Sequence, residues 1–463
     1  MSETLRTISP VDGSVYVERP LADATAINSA LDKAQDAQRT WRNVPVVERQ
    51  EILRKAVTAF VGKKDEIAAE ISWQMGRPVS QAGGEVAGFE ERATYMIDIA
   101  PEALGDYNPG EKAGFNRFIR REALGVVAII APWNFPYLTA VNGVIPALMA
   151  GNSVVLKHSH QTPLCAERFA EAFTKAGLPD GVFQYLHLSH ADAEKLMGDR
   201  RVDFVNFTGS VPGGHAVQRA VTGKFIATGL ELGGKDPAYI RADVNLDHAV
   251  ENVIDGAFFN TGQSCCGIER IYVHESHFDA FADKAADLVS QYRLGSPIDT
   301  NTNLGPMVRA SSADFVRGQI ADAIAAGAKP LIDPAKFTAN AEGSPYLAPQ
   351  VLINVDHSMR VMSEESFGPV VGIMKVASDE EAIKLMNDSE FGLTASIWTA
   401  DEEAALRIGD QLETGTVFMN RADYLDPALA WVGVKNSGRG CTLSKIGYES
   451  LTRPKSFHLR TKI

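Results

Sequence analysis

Cysteine, long apolar runs and positive charge are all scarce in this chain of 463 residues. Its four cysteines are too few for a disulfide framework, which favours a cytoplasmic protein of a reducing cytosol. No apolar run approaches the roughly 18 residues of a membrane-spanning helix, and the first residues lack the pattern of a secretory signal, so neither is expected. With 45 basic against 58 acidic side chains the net charge is −13, which disfavours nucleic acid and anionic membranes as partners.

The sequence instead has the alternating pattern of an α/β protein. The first hundred or so residues predict helices, among them 47–61 and 64–75, from apolar side chains three and four positions apart. From Gly125 onwards, apolar runs such as "GVVAIIA" alternate with helical stretches, which is typical of βαβ units around a buried parallel sheet. A second region of this kind begins near Asp236, and a chain of this length exceeds a single core.

Two segments of alternating polarity stand apart from this pattern, at 115–124 and 456–463. Each predicts an exposed ribbon strand. Exposed strand edges commonly pair with another subunit, so these segments are candidates for subunit contacts.

Two of the cysteines are adjacent, in the segment "FFNTGQSCCGIER" (258–270). Gly262 and Gly267 let the backbone turn tightly on either side of them. A free thiol with a pKa near ~8.5 is only slightly ionised at neutral pH, so a nucleophilic cysteine needs help from its surroundings. The alternative is that both are small buried hydrophobic side chains. Spacing alone does not choose between Cys265 and Cys266.

Other polar groups are predicted at the carboxyl ends of strands, where parallel sheets bind ligands. Glu231 in "LELGGKDP" is either a ligand-facing acid or half of a structural ion pair. Asn134 in "APWNFP" offers amide donors to an oxyanion or belongs to a stiff corner. Lys157 in "KHSH" reaches a ribose or phosphate or is a surface lysine, and the two histidines beside it are too few for zinc, so no metal is expected. "FTGSVPGG" matches neither GxGxxG nor a Walker loop and is a weak signal by itself.

Taken in order, these segments resemble the signatures of the aldehyde dehydrogenase superfamily over nearly the whole chain. The matching segments are "PWNFP", "GNSVVLK", "FTGS", "LELGGKDP", "FFNTGQSCC", "EESFGPV", "NDSEFGLTASIWT" and "GVKNSGRG". The resemblance implies a Rossmann-like dinucleotide-binding domain (1–107 and 125–235), an α/β catalytic domain (236–444) and a small β-ribbon oligomerisation element (108–124 and 445–463). It also implies a homodimer or homotetramer.

The resemblance further implies the oxidation of a small aldehyde to a carboxylic acid with NAD or NADP. Cys265, the second residue after "GQ", is then the nucleophile that forms a thioester, Asn134 stabilises the oxyanion and Glu231 activates the hydrolytic water. Glu231 also argues against the branch that transfers the acyl group to coenzyme A. The competing hypotheses are an inactive family member kept as a binding or structural protein, and a thiol hydrolase without a nucleotide.

The cofactor contacts implied by the resemblance lie at strand ends and in the "EESFGPV" segment: Trp133, Lys157, Gly209, Ser210, Gly214, Glu365 and Phe367. One position departs from the family pattern. Where many NAD-dependent members have "KPSE", this chain has "KHSH", so His160 replaces the carboxylate that binds the ribose hydroxyls. Losing that charge removes a repulsion against a 2′-phosphate, and a protonated His160 would attract it. We therefore expect NADP to be tolerated, with a preference for it as the stronger form of this hypothesis.

Register with the family predicts a substrate tunnel lined by Phe135, Thr139, Asn142, Phe259, Ser264, Cys266, Leu425 and Trp431. An asparagine stands at 142 where relatives often have a large aromatic side chain, so the tunnel is aromatic but more polar than usual. This favours an aromatic or medium-chain aldehyde. A semialdehyde with a carboxylate is the alternative if Arg421 points inward, and the sequence does not fix the direction of Arg421 or of nearby Asp423.

Overall fold

Helices occupy much of the N-terminal part of the chain and alternate with strands thereafter. A computed structural model describes residues 3–463. Its α-helices are α1 (Ala24–Trp41), α2 (Val46–Val61), α3 (Lys64–Met75), α4 (Val79–Ala103), α5 (Pro136–Met149), α6 (Pro163–Ala176), α7 (His190–Gly198), α8 (Val211–Val221), α9 (Leu246–Phe258), α10 (Phe278–Val289), α11 (Ala310–Ala325), α12 (Arg360–Ser363), α13 (Asp379–Asn387), α14 (Glu402–Gly409) and α15 (Ser444–Ser450). Within the described residues, no helix is both long and apolar enough to cross a bilayer.

The strands are short and spread over most of the chain. They are β1 (Thr4–Ile8), β2 (Val15–Pro20), β3 (Phe115–Ala123), β4 (Val126–Ile130), β5 (Ser153–Lys157), β6 (Phe183–Tyr185), β7 (Val202–Thr208), β8 (Thr228–Glu231), β9 (Asp236–Ile240), β10 (Ile268–His274), β11 (Lys329–Pro330), β12 (Gln350–Ile353), β13 (Val370–Val376), β14 (Phe391–Gly392), β15 (Thr394–Trp398), β16 (Thr416–Met419), β17 (Val434–Lys435), β18 (Gly438–Arg439) and β19 (Thr452–Arg460). The predicted α/β fold class is confirmed, but the prediction of helices from the first residues is wrong for 4–20, where β1 and β2 form an antiparallel hairpin.

The first large sheet has the strand order β18-β8-β7-β4-β5-β6. Its pairs are parallel, except that β18 is antiparallel to β8. The chain proceeds from β4 to β5 on one side and returns on the other side with β7, so the order reverses between β4 and β7. Such a reversal opens a ligand crevice at the carboxyl ends of the strands. β4 and β5 are buried along their whole length, which explains their uninterrupted apolar sequences.

The second large sheet has the order β11-β12-β13-β10-β9-β15-β16. β11 is antiparallel to β12, and the other pairs are parallel. Four residues separate the end of β8 from the start of β9, and β10 starts directly after the cysteine segment. The neighbouring strands β9 and β10 therefore both begin next to the crevice of the first sheet.

The two segments of alternating polarity pair with each other. β3 and β19 form an antiparallel ribbon from Ala123 opposite Thr452 to Phe115 opposite Arg460. On one face of the ribbon the rings of Phe118 and Phe457 stack with centroids 4.5 Å apart. Most of β19 is exposed, so the ribbon presents a strand surface to solvent.

The C-terminal part of the chain returns to the first sheet before it enters the ribbon. β18 pairs with β8, and α15 then packs on α4, where the Tyr448 hydroxyl donates to the carbonyl of Met96 at 2.6 Å. The edge of the first sheet is therefore completed by residues that follow the second sheet in sequence.

Candidate functional site

The cysteine segment lies where two cavities meet. The first, the inner cavity, is lined by Arg92, Phe135, Leu138, Thr139, Asn142, Thr208, Glu231, Leu232, Ser264, Cys265, Cys266, Leu393, Asp423, Leu425 and Trp431. The second is called the nucleotide cavity because its wall contains most of the residues predicted to contact the cofactor. It is lined by Pro132, Trp133, Asn134, Thr208, Gly209, Ser210, Glu231, Leu232, Gly233, Cys265, Arg309, Ser312, Glu365 and Phe367. Cys265 and Glu231 are in both walls, so a group at this point is reachable from either side.

The two adjacent cysteines have different surroundings. Cys265 is half-buried and lines both cavities, whereas Cys266 is buried and lines only the inner one. The Cys266 thiol donates to a carboxylate oxygen of Asp423 at 2.9 Å. The hydrogen bond with Cys265, together with burial and the nearby Asp423 charge, raises the pKa of Cys266 well above its usual range. Cys266 therefore remains a neutral thiol at neutral pH, and Cys265 is the thiol with access to both cavities.

An unusual backbone conformation brings Cys265 to this point. After α9, Asn260 and Thr261 have φ values of 53° and 60° in a short 3-10 turn. Gly262 follows with φ 71°, and a Cβ there would overlap the carbonyl of Gly368. The turn is held by Asn260, whose amide donates to the carbonyls of Asn134 at 3.2 Å and Gln263 at 3.1 Å.

A buried ion pair, missed by the sequence analysis, supports this turn from the other side. Arg77 donates from Nε to the Asn260 side chain at 3.1 Å, and its Nη1 and Nη2 bond to Glu85 and to the Asn134 carbonyl. Glu85 also accepts from the backbone N–H groups of Tyr137 and Leu138, at 2.9 Å each, in the first turn of α5. A carboxylate at a helix N-terminus satisfies otherwise unpaired donors. The "APWNFP" corner and the cysteine turn are thus held by one buried network.

Asn134 is buried within this network, with 4% of its surface exposed. Its Nδ2 donates to the Gln263 carbonyl at 3.3 Å and so carries one further hydrogen. The residue also lines the nucleotide cavity together with Cys265. The side chain is therefore fixed in the wall of the cavity that Cys265 also lines.

Glu231, at the end of β8, is held by two threonine hydroxyls. Thr442 donates to Oε1 at 2.6 Å and Thr208 donates to Oε2 at 2.9 Å. Burial raises the pKa of Glu231, whereas these two hydrogen bonds and the charge of Arg92 lower it. A carboxylate whose pKa is raised in this way is a stronger base than an exposed one once it is deprotonated.

The predicted cofactor residues fall into two groups. Trp133, Gly209, Ser210, Glu365 and Phe367 line the nucleotide cavity, and the rings of Trp133 and Phe367 meet edge to face with centroids 5.6 Å apart. Gly214 does not line this cavity: it lies inside α8, where a Cβ would meet the side chain of Leu232 at 2.8 Å. The role of Gly214 in the structure is close packing.

Lys157 is the last residue of β5 and His160 follows three positions later, and neither lines the nucleotide cavity. Burial lowers the pKa of Lys157 to about 8. His160 is half-buried, with Nε2 2.6 Å from the carbonyl of Leu188. Burial lowers the pKa of His160, which disfavours its protonated form. Attraction of a 2′-phosphate by a protonated His160 stays a prediction, as does the weaker expectation that rests on the missing carboxylate alone.

Glu365 and Phe367 are fixed by a buried ion pair that the sequence analysis also missed. Lys235 donates to Glu269 at 2.5 Å, and Glu269 accepts the backbone N–H groups of Ser366 and Phe367 at 2.8 Å each. Phe367 has a positive φ of 50°, so this turn requires such support. Burial and the like charge of Glu269 raise the pKa of Glu365 to about 7.

Most of the predicted substrate residues line the inner cavity, namely Phe135, Thr139, Asn142, Ser264, Cys266, Leu425 and Trp431. Phe259 lies instead in the wall of an adjoining outer cavity, with its ring 6.5 Å from that of Phe135. Arg421 also lines this outer cavity, where its guanidinium lies 3.6 Å from the centre of the Tyr424 ring. Arg421 is exposed and does not reach the inner cavity.

The inner cavity contains two charged residues that the sequence analysis did not place: it left the direction of Asp423 open and did not identify Arg92. Asp423 points inward and accepts from the Ser264 hydroxyl at 3.0 Å as well as from Cys266. Arg92 on α4 is buried in the same wall. The signal for Arg92 was present in the sequence, since Glu85 and Arg92 are charges within the apolar stripe of α4 that includes Phe89.

Comparison with known proteins gives a consistent result. The model of the aldehyde dehydrogenase family matches residues 1–457. The chain is 33% identical over 462 residues to a succinate-semialdehyde dehydrogenase (NADP+) of Mycolicibacterium paratuberculosis, with 98% of this chain and 96% of that protein covered. It is 34% identical over 441 residues to a succinate semialdehyde dehydrogenase (NAD(P)+) of Escherichia coli, with 95% of each covered. The solved NADP-dependent glyceraldehyde-3-phosphate dehydrogenase of Bacillus halodurans, complexed with NADP, superposes with a TM-score of 0.93 at 32% identity, over 99% of this chain and 96% of that chain.

Proposed function

Because the chain belongs to the aldehyde dehydrogenase family, we propose that it oxidises an aldehyde to the carboxylic acid with NAD or NADP, through a thioester on Cys265. The observation that carries this proposal is the position of Cys265 and Glu231 in the common wall of two cavities. One cavity is suited to a substrate and the other to a dinucleotide, and the thiol is accessible from both.

The nucleotide cavity fits a nicotinamide dinucleotide. Trp133 and Phe367 offer aromatic faces, and Glu365 offers a carboxylate to ribose hydroxyls. The cavity floor depends on Gly233, where any Cβ would overlap the carboxylate of Glu365. Ser210 caps α8, and its hydroxyl accepts the Gly213 N–H at 3.3 Å. Because Pro212 has no N–H, the backbone N–H of Val211 is the donor that this helix terminus offers to a phosphate. When bound, the dinucleotide supplies the hydride acceptor that turns the thiol adduct into a thioester.

The first steps are carried by Cys265 and Asn134. The Cys265 sulfur bonds to the carbonyl carbon of the aldehyde, and charge develops on the carbonyl oxygen. The second hydrogen of Asn134 Nδ2, together with the Cys265 backbone N–H, stabilises this oxyanion. Because Asn134 is buried and hydrogen-bonded, it is oriented before the reaction begins and pays little reorganisation energy.

Glu231 completes the cycle by hydrolysis. Its carboxylate accepts a proton from a water molecule, and the resulting hydroxide attacks the thioester carbon. The C–S bond then breaks, the carboxylic acid leaves, and the proton held by Glu231 passes to the sulfur, which restores both the Cys265 thiol and the Glu231 carboxylate. The raised pKa of Glu231 supports this role, because a buried carboxylate binds a proton more readily than an exposed one.

Both dinucleotides are proposed as cofactors, with NADP accepted at least as well as NAD. The support is His160, which stands where the family pattern has a carboxylate, together with the NADP named for relatives at 33% and 34% identity. The measurement is the ratio of kcat/KM for the two dinucleotides. A value for NAD more than about tenfold above that for NADP would rule out this part of the proposal.

The substrate is proposed to be an aldehyde that also carries a carboxylate. Two of the relatives are named for succinate semialdehyde, and this tunnel contains charged and amide side chains besides its aromatic ones. The sequence-based preference for an aromatic or medium-chain aldehyde becomes the second choice. An uncharged substrate would leave Arg92, the cation of the inner cavity, without a counterion.

We also propose a division into domains, an oligomeric state and a cellular location for this protein. The division into 1–107 with 125–235, 236–444, and 108–124 with 445–463 is supported by the two separate sheets and the ribbon. A homodimer or homotetramer is supported by the exposed strands of that ribbon. A reducing cytosol is supported by the cysteines, all of which are free.

The proposed function is tested by following nicotinamide reduction with NAD or NADP and a panel of aldehydes. The wild-type protein should reduce the dinucleotide, and Cys265→Ser should lose at least about 1,000-fold in kcat, because an alcohol neither adds nor leaves as a thiol does. Cys266→Ser is the matched control and should still form the acyl-enzyme. No reduction with any aldehyde would point to a binding protein, and ester hydrolysis alone would point to a hydrolase.

A further inference from the structure

Arg92 is a buried cation in the wall of the inner cavity. It lies on α4, has 8% of its surface exposed, and lines both the inner and the outer cavity. Its Nη1 donates to the carbonyl of Leu138 at 2.8 Å and to the side-chain oxygen of Asn142 at 3.4 Å. Within the described residues, its Nε and Nη2 donate to no protein acceptor. The guanidinium is therefore anchored by one nitrogen, and its opposite edge is free.

The carboxylates around Arg92 are already engaged with other groups. The carboxylates whose charges act on Arg92 are Glu85, Glu91 and Glu231. Within residues 3–463, none of them comes within 4 Å of Arg92 to form an ion pair. Glu85 pairs with Arg77, and Glu91 accepts the Tyr424 hydroxyl at 2.5 Å.

The two acids of the inner cavity are engaged as well. Glu231 accepts from two threonines, and Asp423 accepts from Ser264 and Cys266. Burial lowers the pKa of Arg92, but a guanidinium stays protonated at neutral pH. A buried charge without a counterion is costly, and a ligand that brings the opposite charge offsets that cost.

We propose that the Nε and Nη2 edge of Arg92 binds the carboxylate of the substrate while the aldehyde carbon of the same substrate lies at the Cys265 sulfur. This assignment rests on the proposed function and names the group that recognises the acidic end. The Nε–Nη2 edge of a guanidinium presents two parallel N–H donors, which match the two oxygens of a carboxylate. The anchored Nη1 fixes the orientation of this edge before substrate enters.

A carboxylate fits this site better than a phosphate. Glu231 and Asp423 line the same cavity and repel any anionic group there. Their repulsion of a dianionic phosphate is twice their repulsion of a monoanionic carboxylate at the same distance. These two acids disfavour an anionic group beside them, and Arg92 is the cation among the residues that line this cavity, so the acidic end of the substrate is assigned to Arg92.

The test compares 4-oxobutanoate with its uncharged methyl ester as substrates of wild type, Arg92→Lys and Arg92→Gln. The wild type should prefer the carboxylate. In Arg92→Gln the ratio of kcat/KM for the two aldehydes should fall by about 100-fold, since a charge-assisted bidentate pair is lost, with most of the change in KM. Arg92→Lys keeps the charge without the paired donors and should fall in between. Arg421→Gln is the matched control, and its ratio should stay close to that of the wild type.

Inhibition by succinate, measured against oxidation of the methyl ester, provides a second readout that does not depend on turnover of the acid. Its inhibition constant should rise in parallel in the two Arg92 variants. The assignment is wrong if the wild type prefers the ester, if Arg92→Gln lowers both substrates equally, or if Arg421→Gln changes the ratio as much. Absence of activity with every aldehyde is a different result, which would overturn the proposed function and this assignment with it.

Discussion

The Lys235–Glu269 pair offers a sharp test of how the nucleotide side of the site is held. The side chain of Lys235 is completely buried and that of Glu269 is 5% exposed. In Lys235→Met, Glu269 keeps its two backbone donors at Ser366 and Phe367 but loses its counterion. Leaving one member of a buried pair uncompensated costs about 3–5 kcal/mol. At roughly 2 °C per kcal/mol for a large chain, the melting temperature should fall by about 6–10 °C.

Adding Glu269→Gln to Lys235→Met should raise the melting temperature again. In Lys235→Met with Glu269→Gln, neither member of the pair carries a charge, and the amide oxygen still accepts one of the two backbone N–H groups of the turn. We therefore expect the double variant to melt above the single Lys235→Met variant, whereas independent effects would place it below. Thermal scans at one fixed rate, with the KM for the dinucleotide measured in parallel, make the comparison. If Lys235→Met melts within about 1 °C of the wild type, or if the double variant melts lowest, the pair does not support the turn as described.

Three further outcomes are expected. Thr442→Val removes a hydrogen bond that lowers the pKa of Glu231, so this pKa should rise. The acidic limb of the kcat–pH profile should then move to higher pH by about one unit, and an unchanged or lowered limb would contradict the role of this contact. Gly234→Ala places a Cβ against the carbonyl of Cys265, so kcat should fall by about tenfold or more while a retained circular dichroism spectrum shows that the chain still folds; wild-type kcat would contradict the close approach. His160→Glu places a carboxylate where the family pattern has one. It should lower kcat/KM for NADP relative to NAD by about tenfold, measured at one ionic strength, whereas an unchanged ratio would show that this position does not sense the 2′-phosphate.

The sequence predicted those parts of the fold that depend on a repeating pattern. β4 and β5 are buried on both faces, and their continuous apolar runs identified them. The hairpin of β1 and β2 was missed, because its short strands have few buried positions and are followed by a long helical pattern. Residues 438–439 were not seen as a strand for a similar reason: two residues that complete a sheet edge carry no periodicity.

The candidate site divides in the same way. Residues inside recognisable motifs, such as Glu231 and Cys265, were identified by the resemblance. Arg92 was missed because a helical stripe indicates burial but not whether the buried side meets a core or a cavity. The direction of Asp423 depends on its positive φ of 50°, which no local pattern indicates for an aspartate.

The late return of the chain to the first sheet bears on how the protein is synthesised. Glu231 and the hydroxyl that holds its Oε1 are separated by 211 positions, and the strand that covers the edge of β8 is only slightly closer in sequence. A nascent chain that has emerged through β16 already contains the thiol and the acid, yet it still lacks Thr442. Glu231 acquires its final environment only when the last few dozen residues have left the ribosome, so incomplete chains carry the Cys265 thiol before Thr442 can hold Glu231.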